Sequence, residues 1–135
     1  MPEVHLKKIG DSSYEAETPS GSVKFGGTNA GPMDTVAASL AGCLAISLTK
    51  TLTVMRQSLH DLEIRMTFER KKEEPKIFDH FNIHFTFRGD DLSPAKIEKA
   101  IHMAEESVCP VSVILELSGA QMRTTFMIEN TGQKG

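Results

Sequence analysis

The sequence predicts a single-domain α+β protein with the element order βββ-α-ββ-α-α-β. Residues 62–69 and 80–88 alternate apolar and polar side chains, which is typical of half-buried strands. Three other segments repeat apolar residues at helical spacing, and short alternating pieces precede them. The 135 residues fit one domain, 1–135, that is long enough to bury a core.

The N-terminal part is predicted to be a meander of three short strands. Alternating pieces around Leu6, around Tyr14 and from Ser22 to Phe25 form the strands, and Thr18-Pro19-Ser20-Gly21 forms a turn. The following loop, from Gly26 to Gly31, contains no large side chain. Its backbone is therefore free to approach another group closely.

The most apolar segment predicts a helix that begins at Pro32, with Asp34 in its first turn. This helix is apolar or small on every side, and a lone domain of this size rarely encloses a helix completely. A partner subunit is therefore expected to supply part of its cover. Its strongest stretch, residues 36–48, is about two-thirds of the roughly 20 residues that a membrane span needs. We expect no membrane insertion.

The second half of the chain is predicted to contain a hairpin, two helices and a final strand. The two alternating strands should pair antiparallel across the charged turn at 71–76. Ser93 is an N-cap before Pro94, and Pro110 ends one helix and begins the next. Gly119 suits the end of that last helix, after which residues 122–129 form the closing strand.

Composition and charge exclude several functions. The formal net charge is −3 and no basic stripe is present, so we expect no nucleic-acid partner. The first residues lack the apolar stretch of a signal peptide, and two cysteines are too few for a disulfide scaffold. These features predict a cytoplasmic protein.

Cys43 and Cys109 are the candidate reactive groups. In the simplest interpretation they are two buried thiols that act as small hydrophobic side chains. Cys109, however, is predicted to lie at a helix N-terminus, where free N–H groups tend to lower a thiol pKa. Cys43 lies inside a helix, about 13 Å along the axis from Asp34. Asp34 either holds a cation that reaches Cys43 or simply favours its own helix end.

No metal site is expected. His80 and His84 are separated by about 13 Å if they lie on one strand, which is too far for one ion. They are interpreted as exposed strand residues. The sequence also has no phosphate-binding loop, no nucleophile elbow and no paired catalytic carboxylates.

Two segments carry more specific patterns. Residues 31–43 read Gly-Pro-Met-Asp-Thr-Val-Ala-Ala-Ser-Leu-Ala-Gly-Cys, and residues 105–112 read Glu-Glu-Ser-Val-Cys-Pro-Val-Ser. Together they resemble the central-helix motif and the second cysteine motif of the OsmC/Ohr family of peroxide-stress proteins. The order of predicted elements is also similar along nearly the whole chain. Within the family, the sequence looks closer to the OsmC-like branch.

The resemblance implies a fold and a function. It implies an intertwined homodimer in which two sheets wrap central buried helices. It also implies a thiol-dependent reductase of organic hydroperoxides, used in oxidative-stress defence, with Cys43 as the peroxidatic and Cys109 as the resolving cysteine. A small or protein-bound dithiol would be the reductant, and neither a metal nor an organic cofactor is needed.

Two positions depart from the family's peroxidases. Those enzymes stabilise the thiolate with an early arginine, but here the first arginine is Arg56, and the early cations are Lys7, Lys8 and Lys24. Asp34 fills the position of a glutamate that is one methylene longer. Lysine lacks the planar fork that pairs two ways with a carboxylate. These departures favour an alternative function, a non-enzymatic small-molecule-binding or redox-sensing dimer.

Overall fold

A computed structural model describes residues 1–130. It has six strands and three helices, plus a π-helical turn at Ala104–Val108. The elements are β1 His5–Lys8, β2 Ser13–Thr18, β3 Gly21–Gly26, α1 Pro32–Val54, β4 Ser58–Arg70, β5 Phe78–Asp90, α2 Pro94–Met103, α3 Pro110–Leu117 and β6 Gln121–Asn130. The predicted α+β class and element order are confirmed. Two compact units can be distinguished, Met1–Ala38 and a second that begins at Ser39. Whether they act as one domain stays a prediction.

The first unit contains an antiparallel three-stranded sheet in the order β1-β2-β3. The predicted turn between β2 and β3 is present, and the Thr18 hydroxyl closes it by donating to the Gly21 carbonyl oxygen at 2.7 Å. Gly26 has a φ of +77°, and a Cβ there would collide with the backbone oxygen of Ser12. Only glycine fits this close approach of two backbone segments.

Helix α1 buries one stripe of leucines in the second unit. Leu40, Leu44, Leu48 and Leu52 follow one another at four-residue spacing and are fully buried. Ile46 and Val54 are exposed, so the chain itself covers only part of this apolar helix. Helix α1 is long and apolar enough to cross a membrane, a test that core helices of soluble proteins also pass. Its buried leucine stripe favours a core helix.

The second unit is built on a mixed sheet in the order β4-β5-β6. Strands β4 and β5 form the predicted antiparallel hairpin, whereas β6 runs parallel to β5. A parallel neighbour requires a long crossover, which α2, the π-helical turn and α3 supply. One face of β5 forms the centre of the core through four buried side chains, namely Phe81, Ile83, Phe85 and Phe87.

The crossover places Cys109 between two helices. Ser93 caps α2 as predicted, with its side chain accepting from the backbone N–H of Lys96. The sequence predicted one helix up to Pro110, but α2 ends at Met103 and a wider π-helical turn follows. In that turn the N–H of Cys109 donates to the carbonyl of Ala104 at 2.9 Å. The chain then becomes extended at Cys109 and begins α3.

Candidate active site

Cys109 occupies the N-cap position of α3, as the sequence predicted. Its side chain is fully buried, and its Sγ accepts a hydrogen bond from the backbone N–H of Ser112 at 3.4 Å. The Ser112 hydroxyl in turn donates to the carbonyl oxygen of Glu105 at 3.3 Å. Ser112, itself fully buried, therefore ties the thiol to the π-helical turn.

The structure brings Cys43 and Cys109 together. Cys43 lies on α1 and is partly exposed, and its thiol is in hydrogen-bond contact with that of Cys109. Both cysteines are free thiols. Nothing local in the sequence indicated this contact, because the two residues belong to helices that are far apart in the chain.

The expectation of a lowered pKa at Cys109 is wrong. Burial first, and then the hydrogen bond with Cys43, raise the pKa of the Cys109 thiol to about 11. The backbone N–H groups of Ser112 and Val111 act in the opposite direction, as the helix-end argument required, but they are outweighed. A buried thiolate is costly even at a helix N-terminus.

A surface cavity of about 540 Å³ opens beside Cys43. It is formed by one face of α1 and by the residues that flank Cys109, so it gives access to the Cys43 thiol but not to the buried Cys109. Its lining residues are Ser39, Gly42, Cys43, Ile46, Ser47, Lys50, Val108 and Pro110. Most of these groups are small or apolar, which suits an organic molecule better than a small polar one.

Lys50 is the residue of this site that the sequence analysis missed. It follows Cys43 by seven residues, and seven residues are close to two helical turns, so both lie on one helix face. Seven-residue spacing from a candidate cysteine was the signal that could have found it. Only the N-terminal lysines Lys7, Lys8 and Lys24 were predicted as candidate cations.

The other proposed cations and Asp34 belong to the first unit. Asp34 is exposed in the first turn of α1, and within residues 1–130 its carboxylate has no hydrogen bond or ion pair. Lys8 donates to the carbonyl oxygen of Asp11 at 3.0 Å. The roles proposed for Asp34 and for the early lysines stay predictions.

Glu105 lies in the π-helical turn, four residues before Cys109. Its side chain is partly buried, and its Oε2 has no hydrogen-bond partner in the part of the chain that the structure describes. Burial, and then the nearby charge of Glu116, raise the pKa of this carboxyl above its usual value. A hydrogen bond with Thr124 acts in the opposite direction on the pKa of Glu105 but is outweighed. A π-helical turn that also contains a carboxylate oxygen without a partner is typical of a functional region.

The interpretation of His80 and His84 as exposed strand residues is wrong, because both are partly buried in the sheet and each is engaged with a neighbour. His80 Nδ1 lies 2.9 Å from a carboxylate oxygen of Asp79, and His84 Nδ1 lies 2.7 Å from the hydroxyl of Thr125. Among residues 1–130, no group of three or more His, Cys, Asp or Glu side chains could hold a metal ion.

The two-sheet α+β fold and both cysteines fall within one known protein family. The model of the family "OsmC-like protein" matches residues 25–124, which include both cysteines. The protein YhfA of Escherichia coli K12 is 32% identical over 119 residues, covering 84% of this chain and 89% of YhfA. The chain belongs to the OsmC-like protein family.

Solved structures show the same fold. A hypothetical protein from Aquifex aeolicus superposes with a TM-score of 0.89 at 20% identity, covering 98% of each chain. The organic hydroperoxide resistance protein OsmC of Legionella pneumophila superposes with a TM-score of 0.69 at 21% identity, covering 92% of this chain and 96% of that one. Proteins of the OsmC/Ohr family are typically dimers.

Proposed function

We propose that the protein is a thiol-dependent reductase of organic hydroperoxides that serves in oxidative-stress defence. The observation that carries this proposal is the contact between partly exposed Cys43 and buried Cys109. One thiol faces a cavity that suits an organic molecule, and the second thiol lies directly behind it. The hydroperoxide resistance protein that shares the fold supports the same chemistry.

In the first step the Cys43 sulfur attacks the distal oxygen of the hydroperoxide as a thiolate. The O–O bond breaks, and the alkoxide leaves and takes up a proton to become an alcohol. Cys43 is oxidised by two electrons to a sulfenic acid, and the peroxide is reduced by the same two electrons. Cys43 has this role because it lines the cavity, whereas Cys109 is fully buried.

In the second step Cys109 resolves the sulfenic acid. Its sulfur bonds to that of Cys43, the S–O bond breaks, and the departing hydroxide takes the Cys109 proton and leaves as water. The raised pKa of Cys109, about 11, keeps that proton on the thiol at neutral pH until it is needed. An external dithiol then reduces the disulfide by thiol–disulfide exchange and is itself oxidised.

The remaining expectations belong to the same proposal. The protein acts as a cytoplasmic homodimer, which the exposed apolar side chains of Ile114 and Leu117 on α3 support. Asp34 positions a cationic group at the start of α1, a role that its place in the first turn allows. The scheme calls for no metal or organic cofactor.

The test is consumption of cumene hydroperoxide with dithiothreitol as reductant, for the wild type and Cys43→Ser side by side. Catalytic turnover is expected in the wild type, with a loss of at least about 100-fold in the variant, because a serine hydroxyl is not ionised at neutral pH. Ser39→Ala, a change of similar size in the same cavity, is the matched control and should keep the greater part of the activity. No turnover by wild type with both thiols reduced beforehand would refute the proposal for this peroxide class.

The alternative is a binding or redox-sensing dimer without efficient turnover. Within the described residues the cavity beside Cys43 contains no arginine, which is the observation that favours this second function. It predicts slow oxidation that stops after one equivalent of peroxide per thiol pair, even with dithiothreitol present. The same assay therefore separates the two functions.

A further inference from the structure

The cavity beside Cys43 has chemically different ends. Along α1 its lining runs from Ser39 through Cys43, Ile46 and Ser47 to Lys50, so the neutral groups and the thiol come first and the cation last. Within residues 1–130, Lys50 is the only side chain lining this cavity that carries a full charge at neutral pH. The cavity thus combines a nucleophile, an apolar middle and a cation along one helix face.

The geometry of α1 sets the distance between thiol and cation. Seven residues correspond to about 10 Å along the axis. Side chains on a helix lean towards its N-terminus, so the long Lys50 side chain extends towards Cys43 but cannot bridge the whole gap. This separation along the helix leaves room for a bound molecule between the two groups.

The Lys50 ammonium is free to bind a ligand. Across residues 1–130 it makes no hydrogen bond and no ion pair, and its side chain is exposed. Ser47, buried on the same face one turn closer to Cys43, adds a hydroxyl to the floor. An anionic group placed here would gain a partner without breaking an existing contact.

We propose that Lys50 is a specificity-determining residue that binds an anionic group of the substrate. The preferred hydroperoxides then carry a carboxylate separated by a short apolar body from the O–O bond. This inference rests on the proposed function, since it requires that Cys43 attacks the peroxide. It assigns to Lys50 the binding of the substrate's far end and leaves the chemistry to the two thiols.

The test uses two hydroperoxides of one shape. Cumene hydroperoxide with a para-carboxylate places the anion and the peroxide on opposite sides of a rigid ring, and its methyl ester lacks the charge. Wild type is expected to show a kcat/KM about fivefold higher for the acid, the upper end for an exposed ion pair. The preference should shrink with added salt, because salt screens exposed charges.

Three variants complete the test. Lys50→Met should reduce the acid-to-ester ratio to about one, and Lys50→Arg should preserve it. Lys99→Met, on the exposed face of α2 and outside the cavity, is the matched control and should leave both rates unchanged. The ratio is measured within each variant, so a general loss of folded protein cannot imitate the effect.

Two outcomes would overturn the inference while leaving the proposed function intact. Wild type could reduce acid and ester equally well, in which case Lys50 does not bind the carboxylate of the substrate. Lys50→Met could lower both rates equally and shift the pH profile, in which case Lys50 acts on the thiol instead. Failure of wild type to reduce either peroxide would refute the reductase itself, and this inference with it.

Discussion

Cys109 is fully buried and in hydrogen-bond contact with Cys43, which is partly exposed on a helix much earlier in the chain. This difference in exposure gives two chemically identical side chains different roles. The accessible sulfur of Cys43 can react with a peroxide, whereas the buried sulfur of Cys109 can react only with Cys43. Burial also holds the pKa of Cys109 at about 11, so that this thiol keeps its proton at neutral pH.

The contact predicts which oxidised species forms. One equivalent of cumene hydroperoxide should convert reduced wild type to a Cys43–Cys109 disulfide, which intact-mass measurement detects as the loss of two hydrogens. In Cys109→Ser the reaction should stop at the Cys43 sulfenic acid, which dimedone traps as a stable adduct. Dimedone labelling of wild type to the same extent as Cys109→Ser would contradict a resolving role for Cys109.

The raised pKa of Cys109 predicts how stability depends on alkaline pH. Its pKa rises from 9.0 to about 11 on folding, so between these values the folded protein keeps a proton that the unfolded chain has lost. The preference of the folded state for the protonated thiol adds to the free energy of unfolding. This stabilisation is complete below about pH 9 and is lost as pH rises towards 11. Urea denaturation at several pH values should show a steeper loss for wild type than for Cys109→Ala.

The comparison with Cys109→Ala cancels the contribution of every other ionisable group, because both proteins contain the same set. Equal losses of stability in the two proteins would mean that the thiol has no raised pKa in the folded state.

Glu105 predicts a stabilising substitution. Its pKa is raised by burial, so its contribution to stability is present in acid and is lost as pH rises through the folded-state pKa. Glu105→Gln keeps the shape without the charge and should raise the Tm at pH 7 by about 2–4 °C. At pH 4 the difference should largely vanish, and calorimetry at both pH values measures it.

Glu106→Gln, at the exposed neighbouring position, is the control for Glu105→Gln and should leave the Tm nearly unchanged at both pH values. A decrease in Tm for Glu105→Gln at pH 7 would show that a partner such as Thr124 stabilises the ionised carboxylate by more than burial destabilises it.

The exposed side of α3 predicts part of a subunit interface. Ile114 and Leu117 are 64% and 83% exposed, which is unusual for two apolar residues one turn apart. Light scattering coupled to gel filtration should report a dimer for wild type. Changing both residues to lysine should shift the protein to monomer, since unpaired charges are costly in an apolar interface.

Thr67→Lys, on the exposed side of β4, is the control for that double variant and should leave the dimer intact. A monomeric wild type would contradict the homodimer, and a dimeric double variant would place the interface elsewhere.

Much of the fold could be predicted from the sequence because its signals are local. The alternation of apolar and polar residues at 62–69 and 80–88 predicts two strands with one face on the core. These segments form the paired antiparallel strands β4 and β5. Ser93 before Pro94, and Cys109 before Pro110, mark helix starts through their own backbone chemistry. The π-helical turn carried no such signal, because nothing in Ala104–Val108 excludes an ordinary α-helix.

The candidate site depended on tertiary structure. The sequence by itself determined that two cysteines exist, that one caps a helix and that the other lies within one. Only the fold decided that they touch, that burial overrides the helix end at Cys109, and that Lys50 lies on the cavity with Cys43. Contacts, burial and shared cavities bring together residues that are distant in the chain. Local sequence patterns cannot predict which distant residues become neighbours in space.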